Sequence, residues 1–217
     1  MTTGVNMNLE QYLPEFLSLA LVHFILVVIP GPDFVITVRQ SIQCGRTHGI
    51  MTAIGIGIGL SVHVIYTLLG VAAITHTIPW LLQLLKITGA LYLCYLGLTL
   101  IKSSKNINKL RINTGVQPSN QSLKKSFILG FLTNVFNPKA TLFFIAVMMS
   151  IVNVNTPLPI KIGYGIWMCT VNAVWFILVS LLFSKKVFQK WFQKQTQKIE
   201  RICGGILLLF SVQLMFF

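Results

Sequence analysis

Acidic residues are almost absent from this sequence. The 217-residue chain holds four, Glu10, Glu15, Asp33 and Glu200, against 17 Lys and Arg, for a formal charge of +13. Charge of either sign is scarce: charged residues make up 10% of the chain, where soluble domains carry about 25%. With 54% hydrophobic residues and a mean hydropathy of +0.77, that scarcity excludes an ordinary soluble domain and indicates an integral membrane protein. No polar stretch is long enough to fold alone. Paired cysteines are missing as well. Cys44, Cys94, Cys169 and Cys203 show no C-x-x-C spacing and are expected to be reduced packing residues. Before the first apolar run there is Glu10 and Glu15 but no Lys or Arg, the reverse of a signal peptide's basic start, so the first span is expected to persist.

What is present is a series of apolar runs. The first, Phe16 to Pro32, has 17 uncharged residues between Glu15 and Asp33, and residues from Leu9 onward lengthen it. Nothing from Thr47 to Leu85 is formally charged; that stretch is too long for one helix, and Pro79 divides it. Spans two and three are expected over about Gly49–Ile74 and Trp80–Ile101. A polar segment, 102–126, reads as a loop. Span four runs from about Phe127 to Val152, span five from Ile160 to Phe183, and span six from Ile202 to Phe217.

Two proline motifs interrupt these runs. Pro30-Gly31-Pro32-Asp33 closes span one, and Asn137-Pro138-Lys139 sits inside span four. Proline removes a backbone donor and clashes with the preceding turn, so both helices must break. Freed backbone groups at membrane depth are tolerated only where protein or a water-filled cavity surrounds them. The motifs therefore mark a candidate pathway.

The basic residues fix an orientation. Fourteen of the 17 fall in three alternate loops: Arg39 and Arg46; Lys102, Lys105, Lys109, Arg111, Lys124 and Lys125; Lys185, Lys186, Lys190, Lys194, Lys198 and Arg201. The positive-inside rule makes that side cytoplasmic, with both termini outside. Topology thus accounts for the charge, and a nucleic-acid partner is not expected. In the third of these loops Phe188, Trp191, Phe192 and Ile199 share one helical face, which suits either contact with the anionic inner leaflet or a solvated loop with buried aromatics.

Six spans with both ends on one side divide into two three-span halves of opposite orientation. Lys86-Ile87-Thr88-Gly89 resembles Arg201-Ile202-Cys203-Gly204 at an offset of 115 residues, and Gly31-Pro32-Asp33 can be set against Asn137-Pro138-Lys139 at an offset of 106. The expected fold is an all-α membrane protein of six helices in two inverted repeats, with helices one and four broken at the proline motifs. The whole chain forms one transporter domain, with repeat one about 9–101, the basic loop 102–126 and repeat two about 127–217. Paired interruptions in inverted halves are characteristic of a secondary transporter's binding site.

Each candidate site residue has a functional and a structural reading. Asp33 is the only acid between Glu15 and Glu200; it serves as a proton-coupling group or ammonium receptor, or else caps the helix that resumes at Phe34. Lys139, with the opposite sign in the second half, binds a substrate carboxylate or pairs with Asp33. Asn134 and Asn137 share a face and bond substrate or broken backbone. His63 relays protons or bonds a neighbouring carbonyl. Asn172 lines the pathway or makes one interhelical bond. Gly55 and Gly59 suit close helix packing.

Taken together, Pro30-Gly31-Pro32-Asp33, Gly45-Arg46, Gly49, the span-two residues Gly55, Gly59, His63 and Gly70, Gly89-Ala90-Leu91-Tyr92-Leu93, and Gly130-Phe131-Leu132-Thr133-Asn134 leading to Asn137-Pro138-Lys139 resemble the lysine exporter (LysE) superfamily. Within it the homoserine/threonine efflux (RhtB) type is the most similar branch. The resemblance implies a bacterial inner-membrane exporter of amino acids or their derivatives, driven by the proton motive force, with no enzymatic activity and no cofactor. Its partners would be a small amino acid, protons and the bilayer; a homo-oligomer is neither required nor excluded. Other functions fit less well. A divalent-cation exporter wants several oxygen ligands, and one intramembrane carboxylate is too few. A thiol oxidoreductase needs paired thiols, and spans one and four have no cysteine. A hydrolase needs a nucleophile and base or a metal cluster, and none is apparent. A purely structural subunit is the remaining alternative.

Overall fold

The computed structural model describes residues 9–77, 79–103 and 121–216. All regular structure among them is helical. A 3-10 turn, Leu9–Tyr12, leads into α1 (Leu13–Val28), followed by α2 (Pro32–Gln43), α3 (Arg46–Thr77), α4 (Pro79–Ser103), α5 (Leu123–Val135), α6 (Pro138–Ser150), α7 (Leu158–Phe183) and α8 (Lys186–Phe216). Prolines punctuate this order where sterics require it: Pro32, Pro79, Pro138 and Pro157 stand at or just before helix starts, where a missing N–H costs nothing.

The helices present apolar surface outward. Leu13, Leu17, Leu21 and Phe24 form an exposed stripe on α1, opposite the buried Leu19, Val22, Ile25 and Leu26. A helix apolar on both faces suits hydrocarbon on one side and a protein core on the other. Three helical segments are long and apolar enough to cross a membrane, Glu10–Val28, Arg46–Leu68 and Leu158–Phe183, and α5 with α6 makes a fourth, bent by 52°. These segments are counted among the described residues alone. Ile87–Lys102 of α4 is a further, shorter apolar segment. The basic segment before span six also differs from a loop: no Gly or Pro interrupts 186–203, and α8 runs unbroken from Lys186. Lys105, Lys109 and Arg111 lie outside the described residues.

Contacts between helices give their relative directions. Ser126 meets His48 at the starts of α5 and α3, and Asn134 meets His63 further along both, so the two run the same way. Ser180 near the end of α7 donates to the Arg46 carbonyl, and Gly165 lies against Val64, so α7 runs opposite to α3. Phe16 meets Tyr164 and Phe24 meets Trp175, which makes α1 parallel to α7. The exposed Arg46, Lys124, Lys125, Lys185 and Lys186 therefore gather at one end of the bundle. At the other end the Glu15 carboxylate accepts from the Asn153 backbone N–H (2.9 Å) and the Thr156 hydroxyl (3.0 Å).

Glycines let α3 approach its neighbours. A Cβ at Gly55 would collide with the Phe127 carbonyl, one at Gly130 with the Thr52 carbonyl, and one at Gly59 would stand 2.9 Å from the Phe131 carbonyl. Backbone-to-backbone contact of this kind brings Asn134, at the end of α5, against the middle of α3.

A candidate substrate site at two helix breaks

The first break strands backbone carbonyls, and at both breaks a side chain from elsewhere bonds a carbonyl. The helical partner of the Leu26 carbonyl would be the N–H of residue 30, which is proline. The chain turns extended at Ile29 (φ −64°, ψ 122°), freeing a second carbonyl. Lys139 Nζ donates to both, at 3.1 Å to Leu26 and 2.9 Å to Ile29. Its ammonium thus lies at the C-terminal, negative end of α1. In the second half, the partner of the Asn134 carbonyl in a continuous helix would be residue 138, again proline, and the Asn137 backbone N–H bonds that carbonyl instead at 2.9 Å. His63 Nε2 donates to that carbonyl at 3.0 Å, which leaves Nδ1 of the neutral ring to accept from the Tyr66 hydroxyl at 2.9 Å.

Asp33, in the first turn of α2, directs its carboxylate across to the second half. Oδ2 accepts from Asn134 Nδ2 and from Asn137 Nδ2, both at 3.0 Å. Asn137 Oδ1 meanwhile caps α6 by accepting from the Lys139 backbone N–H at 3.1 Å. The two breaks are cross-linked twice, with the second half donating each time: its amides hold the acid of the first, and its lysine repairs the backbone of the first. No direct ion pair joins Asp33 and Lys139. Gly31 explains how Lys139 fits, because a Cβ there would stand 3.2 Å from Nζ.

These groups line a small cavity of about 30 Å³. Gly31, Asp33, Asn134, Asn137 and Lys139 form its polar wall, and Leu26, Val27, Phe34, Leu60, Phe144 and Phe176 its apolar one. His23 and Asn172 also face it. Several buried polar atoms here have no partner within the protein: Asp33 Oδ1, Asn134 Oδ1, Asn172 Nδ2 and both ring nitrogens of His23. Buried polar groups are nearly always satisfied, so such a cluster around one cavity points to a polar guest.

The structure brings together Asp33, Lys139, Asn134, Asn137 and Asn172, with Pro30, Gly31, Pro32 and Pro138 shaping the wall. His63 stands behind Asn134 and does not line the cavity; Gly55 and Gly59 lie on the α3–α5 contact. Sequence reasoning gave His23 little weight, and it lines the cavity with a fully buried ring. The carbonyls of Leu26 and Asn134 were legible in principle, each four residues before a helix-breaking proline. None of the four cysteines forms a disulfide. Among the described residues no three His, Cys, Asp or Glu converge as metal ligands.

Comparison with known proteins agrees with this architecture. The model of the LysE type translocator family matches residues 24–216. The chain belongs to the LysE family. It is 28% identical to the threonine efflux protein of Escherichia coli K12, over 92% of this chain and 96% of that protein. It is 29% identical to the leucine efflux protein of Enterobacter sp. 638, over 87% of each, and 27% identical to an uncharacterized membrane protein of Haemophilus influenzae, over 92% and 95%. No solved structure matches the chain significantly. These LysE relatives named for an activity are efflux proteins, and both proline motifs of this chain fall inside the matched region.

Proposed function

We propose that this LysE-family protein exports a small amino acid across the bacterial inner membrane, using the proton motive force. The observation that carries the reading is the set of free valences around the cavity. Asp33 Oδ1 and Asn134 Oδ1 are two acceptors without partners, suited to a substrate ammonium. Lys139 uses two of its three N–H groups on Leu26 and Ile29, leaving the third for a substrate carboxylate. Acceptors and a cation in the lining of one cavity match a zwitterion. The efflux names of the threonine and leucine relatives support the direction of transport and the substrate class.

On this proposal the chain forms six spans in two inverted halves, with α1–α2 and α5–α6 as the equivalent broken helices. Asn134 is ten residues of helix from Lys124, about 15 Å, and Ser150 is eleven from Lys139, about 16 Å, which suits a site near the middle of a roughly 30 Å hydrocarbon layer. The basic end of the bundle is cytoplasmic and both termini are outside. Alternating access follows from one half rocking against the other, with the Asp33–Asn134–Asn137 link opening as protons and substrate exchange on Asp33.

Inside-out membrane vesicles with an acid interior provide the test. Labelled amino acids should accumulate in vesicles carrying the wild-type protein and not in those carrying Asp33→Asn at the same protein level. Accumulation that persists without a gradient, or that Asp33→Asn leaves intact, counts against this coupling. No accumulation of any amino acid by the wild type removes the exporter reading.

A further inference from the structure

His23 is the residue in this molecule whose chemistry is least explained by folding. Its side chain is fully buried, and neither ring nitrogen has a partner. Three aromatic rings surround it, with centroids at 6.5 Å for Phe143, 6.4 Å for Phe144 and 5.8 Å for Trp167. Leucine or phenylalanine would pack among these rings without the cost of desolvating two nitrogens. The ring is nevertheless held at the cavity wall, one helical turn before Leu26, whose carbonyl anchors Lys139. From α7, Asn172 faces the same cavity, and its Nδ2 also lacks a partner while the residue is 3% exposed. Two side chains from different helices thus bring unsatisfied hydrogen-bonding capacity to the same cavity.

We infer that His23 and Asn172 form a side-chain subsite that selects an amino acid carrying a hydroxyl over one of the same shape without it. This rests on the exporter reading and sharpens it. A neutral imidazole supplies one donor and one acceptor, and the amide nitrogen supplies donors. A hydroxyl matches both: it accepts from Asn172 Nδ2 and donates to the free imidazole nitrogen. An aliphatic side chain would leave all three groups buried and unpaired. A site built to bond a hydroxyl rejects the analogue lacking it far better than an apolar pocket rejects an extra hydroxyl. The threonine and leucine relatives named above show why the distinction matters, since the zwitterionic end of the cavity treats both alike.

Threonine and valine are nearly the same shape and differ in this one group. In the vesicle assay, with both amino acids labelled, the wild type is expected to favour threonine over valine by about 10–100-fold in Vmax/KM. His23→Leu and Asn172→Leu should each bring that ratio close to one by raising KM for threonine. His23→Gln, which keeps a donor and an acceptor, should retain much of the preference. Equal handling of threonine and valine by the wild type overturns the inference, whether or not the leucine variants accumulate in the membrane. So does a ratio unchanged in both leucine variants. When valine and threonine are transported alike and Asp33→Asn abolishes both, only the subsite is lost; when the wild type moves neither, the exporter reading fails with it.

Discussion

At the residue scale, the site depends on two prolines that each remove a single N–H. Pro30 strands the Leu26 carbonyl, which Lys139 takes up; Pro138 denies the Asn134 carbonyl its helical partner, and the Asn137 N–H and His63 bond it instead. Lys139→Met keeps the length of the side chain and leaves two carbonyls bare, at about 1–3 kcal/mol for each one buried from water. Its unfolding midpoint in a denaturing-detergent titration should fall, and transport should be lost even where the protein is folded. Asp33→Asn is expected to behave differently. It keeps an oxygen for Asn134 and Asn137, so the protein should accumulate at near wild-type levels while transport stops. His63→Leu tests a structural role: it should lower stability modestly, because the Asn134 carbonyl keeps the Asn137 N–H and loses only its bond to α3, and alter transport less than Asp33→Asn does.

At the element scale, the fit of α3 against α5 positions Asn134. Gly55→Leu would drive a side chain into the Phe127 backbone, which flexible neighbours cannot relieve, and should cost about 1–3 kcal/mol or prevent folding. Gly70→Ala, with nothing within 4 Å of the new Cβ, should be neutral or slightly stabilising; both are read by thermal unfolding in detergent. Much of this level was legible in the sequence. The ends of α7 and the breaks at both proline motifs follow from apolar length and from proline sterics alone. Two things were not. The bonds from Asn134 and Asn137 to Asp33 span more than a hundred residues, and no local pattern says which partner an amide will choose. For the aromatics of α8 the pattern left a membrane surface and burial both open; Phe192 is buried against Phe34 and Phe183, with ring centroids at 5.1 and 5.0 Å, while Trp191 and Lys190 stay exposed. Periodicity gives the face of a helix, not what covers it.

At the scale of the whole molecule, the parallel and antiparallel contacts place the basic residues at one end and the Glu15 cluster at the other. In a cysteine-free background, Asn155→Cys should react with a membrane-impermeant thiol reagent added to intact cells, and Ser122→Cys only after the cells are opened. The reverse pattern would invert the topology. Between these ends lies the central claim, that the cross-linked breaks bind both charges of an amino acid. Thermal stabilisation of the purified protein by threonine, threonine methyl ester and N-acetylthreonine tests it most directly, since a ligand that binds the folded state raises its melting temperature. The zwitterion alone should stabilise the wild type, and Lys139→Met should erase the difference between threonine and its ester. Equal stabilisation by all three compounds, or by none, would contradict the account.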